Sequence, residues 1–297
     1  MDGIINVFKP SGMTSHDVVS FIRKKACQKK VGHTGTLDPN AVGVLPICLG
    51  RATKIAQFLS DDKKSYRCEL MLGKQTDTQD RYGKIIKTSD KKVNKEEIYN
   101  AINSFRGAIK QIPPMYSALK HNGKKLYELA REGKNIELKA RDVFIYNIDI
   151  VHIGEQSALF DVECSKGTYI RSLCNDIGEI LGTFGYMNFL LRSKVGIFDI
   201  NSAKTVEEID EMAQKHQLEC ILKPIDYALY NFEKFILNDI HYKRIINGVK
   251  IILNDSKYDI NKLYRVYCRD TFIGIGKIEI INNRKLLKMQ KVFIKGD

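Results

Sequence analysis

Residues 31–54 read VGHTGTLDPNAVGVLPICLGRATK and hold a single carboxylate, Asp38, among small and turn-forming residues. Asp before Pro favours a turn, so the carboxylate belongs to a loop rather than to a regular ladder. Glycines at 32, 35, 43 and 50 would let a bulky ligand approach the backbone. Val42, Val44, Leu45 and Ile47 would anchor that loop to a core. An aspartate side chain needs no helper base to act as an anion at neutral pH, so the segment could supply a nucleophile or a base. By spacing alone, a turn-capping role for Asp38 is the better fit, because Asp before Pro is a common turn residue.

Other chemistries leave no mark. The seven cysteines include no C-x-x-C pair, and the six histidines show no H-E-x-x-H or zinc spacing. No metal and no cofactor is expected. There is no phosphate-cradling G-x-x-x-x-G-K-[ST] and no G-x-G-x-x-G opening a βαβ unit. Gly274-Ile-Gly276 instead suggests a strand with a bulge or close approach.

The elements that must position Asp38 follow from periodicity. Residues 4–8 form a short apolar strand, ended by Lys9-Pro10-Ser11-Gly12. A helix follows, with Ser15 as its expected N-cap and Val18, Val19, Ile22 and Ala26 on one face. Residues 52–59 are expected to be helical. Residues 64–72 alternate, with Tyr66, Cys68, Leu70 and Leu72 inward. Residues 74–93 are polar, a surface loop or solvated hairpin. Asn94 and Glu97 open a helix whose stripe is Ile98, Ala101, Ile102 and Phe105. A short helical pattern lies near 124–132, and strands at about 142–153 and 158–164. A helix after Gly167 buries Ile170, Leu173, Cys174, Ile177 and Leu181. Strands and helices mix without strict βαβ alternation. The fold class is therefore α+β with a mixed, largely antiparallel sheet. Short β-like runs at 249–253, 263–268, 271–281 and 285–294 make a small all-β module at the carboxyl end. The expected division is 1–227 and 228–297.

At 297 residues the chain suits about two domains. Hydrophobic residues are 43% and charged residues 28%, which excludes wholesale disorder and collagen. No apolar run nears the roughly 20 residues needed to span a bilayer. With no leader-like start and an odd cysteine count, reduced thiols and a cytoplasmic location are expected. The net charge is +13, of which residues 228–297 carry +7. That excess fits a polyanionic partner, most simply nucleic acid, and equally a merely soluble basic protein.

The motifs separate these readings. GHTGTLDP followed by GVLPICLGRATK resembles the active-site motif of the TruB-type tRNA pseudouridine synthases. KPSGMTS (9–15) is similar to that family's amino-terminal loop. SYRCELMLGKQTDTQDRYG (65–83) resembles its tyrosine-bearing strand and loop. QIPPMYSALKHNGKKLYELAREG (111–133) resembles its RNA-gripping thumb, here about 111–140. SKGTYIRSLCNDIG (165–178) resembles the motif that carries an arginine, and LLRSKVGIF (190–198) a pocket-lining segment. The blocks occur in the family's order across about residues 3–200. The carboxyl-terminal module, including FIGIGKI (272–278), more loosely resembles the family's PUA-like RNA-binding domain.

The resemblance implies a pseudouridine synthase fold and isomerisation of the uridine at position 55, in the T-arm of tRNA. The C1′–N1 bond breaks, the uracil turns, and it rejoins through C5, with no redox step and no energy carrier. Asp38 is implied as the catalytic acid residue, Arg171 as its orienting ion-pair partner and Tyr66 as a stacking residue with a further role in proton transfer. An Arg fork suits a carboxylate better than Lys does. Tyr169 and Leu190 are implied to line the pocket, His33 to fill the gap left by a flipped base, Asp80 to lie near the flipped bases and Lys9 to support the loop. Lys120, Lys124 and Lys125, with Lys134 and Lys139, are implied to grip phosphates. Flipping a base costs a few kcal/mol, and stacking can return roughly 1–3 kcal/mol. The expected partner is tRNA alone, bound by a monomer without membrane or protein partners. Two other readings stand beside this one. A guide-RNA-dependent relative is disfavoured by the thumb-like segment, which that branch lacks. A binding or RNA-folding protein with vestigial catalysis is disfavoured by intact Asp38, Tyr66 and Arg171.

Overall fold

The computed structural model describes residues 1–59, 63–134, 136–253 and 258–294. Its first half runs β1 (Gly3–Lys9), α1 (Ser15–Lys25), β2 (Val31–His33), β3 (Val42–Leu49), a 3₁₀ stretch (Gly50–Phe58) and β4 (Lys64–Leu72). Next come the hairpin β5 (Lys74–Thr76) and β6 (Ile85–Thr88), then α2 (Lys95–Asn103) and β7 (Gly107–Gln111). A small hairpin, β8 (Lys120–His121) and β9 (Lys124–Lys125), precedes α3 (Leu126–Arg131). The rest of the larger unit is β10 (Arg141–Ile153), β11 (Ser157–Cys164), α4 (Ile170–Leu181), β12 (Gly185–Val195), β13 (Phe198–Asp199) and α5 (Val206–Gln214).

One sheet dominates, in the order β1-β3-β12-β4-β11-β10-β7, with β2 added to β3 and β13 to β12. Every pairing in it is antiparallel except the short parallel contact of β12 with β3. The α+β class with a mixed, largely antiparallel sheet is thus what the chain adopts. The alternation along β4 has the expected sense: Tyr66, Cys68, Leu70 and Leu72 are buried. They pack with α2 and α4 in one cluster that includes Ile98, Ile102, Leu173 and Ile177. A second cluster places Val18, Val19 and Ile22 of α1 against Ile5, Val7, Leu45 and Ile47.

Local chemistry sets the element ends. The N-cap of α1 is Thr14, not Ser15. Thr14 and Asp17 form a reciprocal capping box, which Ser15 lacks the spacing to make. Ser15 is instead buried, and its hydroxyl exchanges hydrogen bonds with the Leu37 backbone. The expected helix at 52–59 is a 3₁₀ stretch from Gly50 to Phe58. The helical pattern near 124–132 narrows to α3, because Asn122 (φ 49°) and Gly123 (φ 84°) turn the chain into the β8–β9 hairpin first.

The carboxyl-terminal strands are β14 (Glu233–Leu237), β15 (Ile251–Ile252), β16 (Leu263–Cys268), β17 (Thr271–Ile281) and β18 (Arg284–Val292), with α6 (Tyr242–Ile246) between the first two. They form a five-stranded sheet ordered β14-β16-β17-β18-β15. β14 is absent from the sequence reading; its partner β16 runs parallel to it some way along the chain. The close approach expected at Gly274 and Gly276 is present: a Cβ on Gly274 would overlap the Lys291 carbonyl. The register also shifts between Ile275 and Gly276. This sheet is not isolated. Ile275 and Phe293 share a cluster with Ile4, Val44, Ile55, Val195 and Leu229.

Gly43 matters most for the site. Its φ is +111°, and a Cβ there would overlap the Arg192 carbonyl where β3 meets β12. Gly43→Ala is therefore expected to cost about 3 kcal/mol or more, from combined strain and overlap. Urea denaturation measures it, and an unchanged midpoint would contradict the tight crossing.

Candidate active site

Asp38 lies in the loop between β2 and β3, where the Ala41 N–H donates to its carbonyl and closes the Asp-Pro turn. Two side chains hold the loop from below. Ser15 clasps Leu37, one residue before Asp38. Lys9, fully buried, donates to the carbonyls of Pro10 (2.8 Å), Met13 (2.7 Å) and Pro39 (2.9 Å). Three acceptors match the three donors of an ammonium. Burial pushes the Lys9 ammonium down to about 8.

The Asp38 carboxylate faces Arg171, the second residue of α4. Arg171 Nε lies 2.9 Å from Oδ2 and Nη2 donates to Oδ1 at 3.4 Å, a fork on both oxygens. The Arg171 side chain is only 5% exposed while that of Asp38 is 37% exposed, so a buried cation presents an accessible anion. The remaining guanidinium donors go to the carbonyls of Thr78 (3.0 Å) and Tyr116 (2.8 Å). One side chain thus ties together the Asp38 loop, the β5–β6 hairpin and residues 112–119. The start of α4 is held by further bonds. Gln111 donates to the Tyr169 carbonyl (3.0 Å) and accepts from its N–H (2.7 Å). Ser172 contacts Gln79 and the Ile112 carbonyl, each at 2.9 Å.

Tyr66 is buried on β4, opposite Arg192 of β12. Burial pushes its phenol up to about 12, so it holds its proton at neutral pH, with Arg192 as hydrogen-bond partner. Arg192 itself is buried and donates to the carbonyls of Val44 (2.8 Å), Thr36 (3.1 Å) and Gly35 (3.2 Å), bracing the Asp38 loop from the other side. The Asp38 charge is felt at Lys9, Tyr66, Tyr169 and Arg192 alike, which places these groups around it. Tyr169 is half-buried, and burial raises its phenol above the ordinary value. Leu190 packs in the same apolar cluster as Tyr66 and Leu37.

His33 ends β2, and its Nδ1 is buried with no hydrogen-bond partner among the described residues. Burial, then the nearby charges of Arg192 and His16, hold its imidazole below the ordinary 6.5. The unfolded chain therefore binds this proton more readily than the native protein does. Stability is expected to rise with pH across the window below 6.5 and to be lost as pH falls through it. Urea midpoints at about pH 5 and about pH 7.5 should differ more for the parent than for His33→Asn; equal differences would contradict the assignment.

Asp80 sits in the tip of the β5–β6 hairpin. Its Oδ1 accepts from Thr78 Oγ1 (2.7 Å) and the Tyr82 N–H (3.0 Å), so this oxygen holds the turn. The lysines lie apart from the carboxylate, on the β8–β9 hairpin. Lys124 pairs with Glu132 at 3.4 Å, Lys125 lies 3.2 Å from the Tyr127 hydroxyl, and Lys120 is exposed. Lys139 is exposed, and Lys134 pairs with Glu132 at 2.8 Å. Sequence reasoning missed Arg192, Gln111, Ser15 and Ser172 as parts of the site. Only Arg192 had a usable signal, since it shares the inward parity of Leu190.

No described helix is long and apolar enough to cross a membrane. A sequence model of the TruB family pseudouridylate synthase N-terminal domain matches residues 23–170. One of the tRNA pseudouridylate synthase B C-terminal domain matches residues 171–230. The chain is 49% identical over 302 residues to tRNA pseudouridine synthase B of Alkaliphilus oremlandii, covering 100% of both. It is 46% identical over 301 residues to the protein of that name from Clostridioides difficile, covering 99% of this chain and 100% of the relative. Among solved structures, a chain of a Cbf5-Nop10-Gar1 complex superposes with a TM-score of 0.77 at 26% identity, over 98% of this chain and 85% of that one.

Proposed function

The chain belongs to the TruB family of pseudouridylate synthases, and on that premise we propose that it converts the T-arm uridine at position 55 of tRNA to pseudouridine through Asp38. The observation that carries the proposal is the forked Arg171–Asp38 pair, a buried cation aiming an accessible carboxylate. The C1′–N1 bond breaks, a C1′–C5 bond forms, and the C5 proton is lost to solvent. Asp38 acts at the sugar or ring. Arg171 fixes the direction of its oxygens, and a fork of two N–H donors does so better than one ammonium could. Tyr66, protonated and held by Arg192, offers a ring for stacking and a proton for transfer. Tyr169 and Leu190 line the pocket, and His33 fills the space left by the flipped base. Lys9 keeps the Asp38 loop in place.

The segment at about 111–140 is the gripping insertion, with Lys120, Lys124 and Lys125 toward phosphates. Ion pairs as loose as Lys124–Glu132 give way to a polyanion at little cost. The basic segment 228–297, read as a separate RNA-binding domain of the PUA-like kind, extends the grip. On this reading the enzyme works alone, as a monomer in the cytosol, without a guide RNA or protein partner. Incubating the protein with an unmodified T-arm hairpin, then digesting it and separating the nucleosides, tests the reading. Pseudouridine is the expected product. Stable binding without pseudouridine would favour a binding or RNA-folding protein instead.

A further inference from the structure

The tip of the β5–β6 hairpin carries an aromatic ring that neither fold nor chemistry explains. Tyr82 is 58% exposed, although its backbone is tied into the loop. Its N–H donates to Asp80 Oδ1, and the Arg81 N–H donates to the Met187 carbonyl of β12. The next residue, Gly83, is packed so closely that a Cβ would overlap Thr78 Oγ1. The Arg81 guanidinium lies 5.4 Å from the centre of the Tyr82 ring, a cation on a π-face. The same turn reaches the ion pair directly, since the Thr78 carbonyl accepts from Arg171 at 3.0 Å and Gln79 bonds Ser172 at 2.9 Å.

We infer that Tyr82, backed by Arg81, is a stacking platform for an unpaired nucleobase of the RNA that enters the Asp38 site. This rests on the proposed tRNA reading and adds to it a positioning contact outside the catalytic group. Three features favour a nucleobase. The ring is presented on a fixed turn, so little ordering is needed on binding. The local charge suits RNA: Arg81, Lys84 and Lys87 are exposed, while Asp80 and Asp77 each spend a carboxylate oxygen on hydrogen bonds within the hairpin. The platform is also continuous with the site through Thr78 and Arg171.

The chain contains no tryptophan, so Tyr82→Trp creates a single fluorophore that reports only this position. Its emission is expected to be quenched when an unmodified T-arm hairpin is added, with Asp38→Asn included so that no turnover intervenes. A control fluorophore from Tyr99→Trp, at an exposed position on α2, should stay unmoved. In steady-state assays Tyr82→Ala should raise KM about five- to fiftyfold with little change in kcat, and Tyr82→Phe should restore it. A platform is ruled out if the emission of Tyr82→Trp and the KM of Tyr82→Ala are both unmoved while the parent enzyme binds and converts the hairpin. It is also ruled out if the Tyr99→Trp control is quenched equally. If the parent binds no hairpin at all, the tRNA reading itself falls, and this inference with it.

Discussion

Asp38→Asn is expected to abolish turnover, lowering the single-turnover rate about 10⁴-fold or more, the scale seen when an enzyme loses its nucleophile. The amide is nearly isosteric, so the Asp-Pro turn and the Ala41 contact can persist. What disappears is the anion. An amide offers one oxygen acceptor, and its NH₂ would face the Arg171 donors, so the fork seen at 2.9 and 3.4 Å cannot form. Asp38 is more than a third exposed, which makes the stability cost modest next to the chemical one. RNA affinity should change little, because the phosphate-gripping groups lie elsewhere. A variant that turns over normally would remove Asp38 from the chemistry.

Arg171→Lys should have the second largest effect, lowering kcat by about 10²-fold and stability by about 1–3 kcal/mol. A lysine ammonium can meet one Asp38 oxygen, yet it cannot also span the carbonyls of Thr78 and Tyr116, which Arg171 reaches at 3.0 and 2.8 Å. Those carbonyls sit where a 5%-exposed side chain excludes water, so losing their donors is costly. Three segments lose their common fastening, and the carboxylate loses its fixed direction. Single-turnover rates and urea midpoints separate the two effects. Wild-type rates in a destabilised variant would make Arg171 a purely structural residue.

How much of this was legible in the sequence depended on how local the cause was. The faces of β4, the amphipathic stripe of α4 and the Asn94–Glu97 capping box each follow from residues a few positions apart. All three are present as expected. Thr14 and Ser15 are both good capping residues, and Asp17, three residues after Thr14, decides between them. The Asn122-Gly123 turn carries a local signal too, which the helical pattern beside it masks. Other features had no local signature. β14 is short, and its partner β16 begins at Leu263. Gln111 and Ser172 bond to backbone groups far away in sequence, so no spacing rule could reveal them, whereas Arg192 shows only its inward parity and not its partners. Asp38 could not be told from a turn residue by spacing. The family motifs named its partner, and the geometry places Arg171 within 2.9 Å of it.

The most direct measurement uses a full-length, unmodified tRNA transcript carrying a C5-tritiated uridine only at position 55. The wild-type protein is expected to release that tritium to water with no added metal or cofactor, and Asp38→Asn is expected to bind the same transcript and release none. Tritium retained by the wild type, or released equally by both proteins, would contradict an Asp38-dependent isomerisation at that uridine.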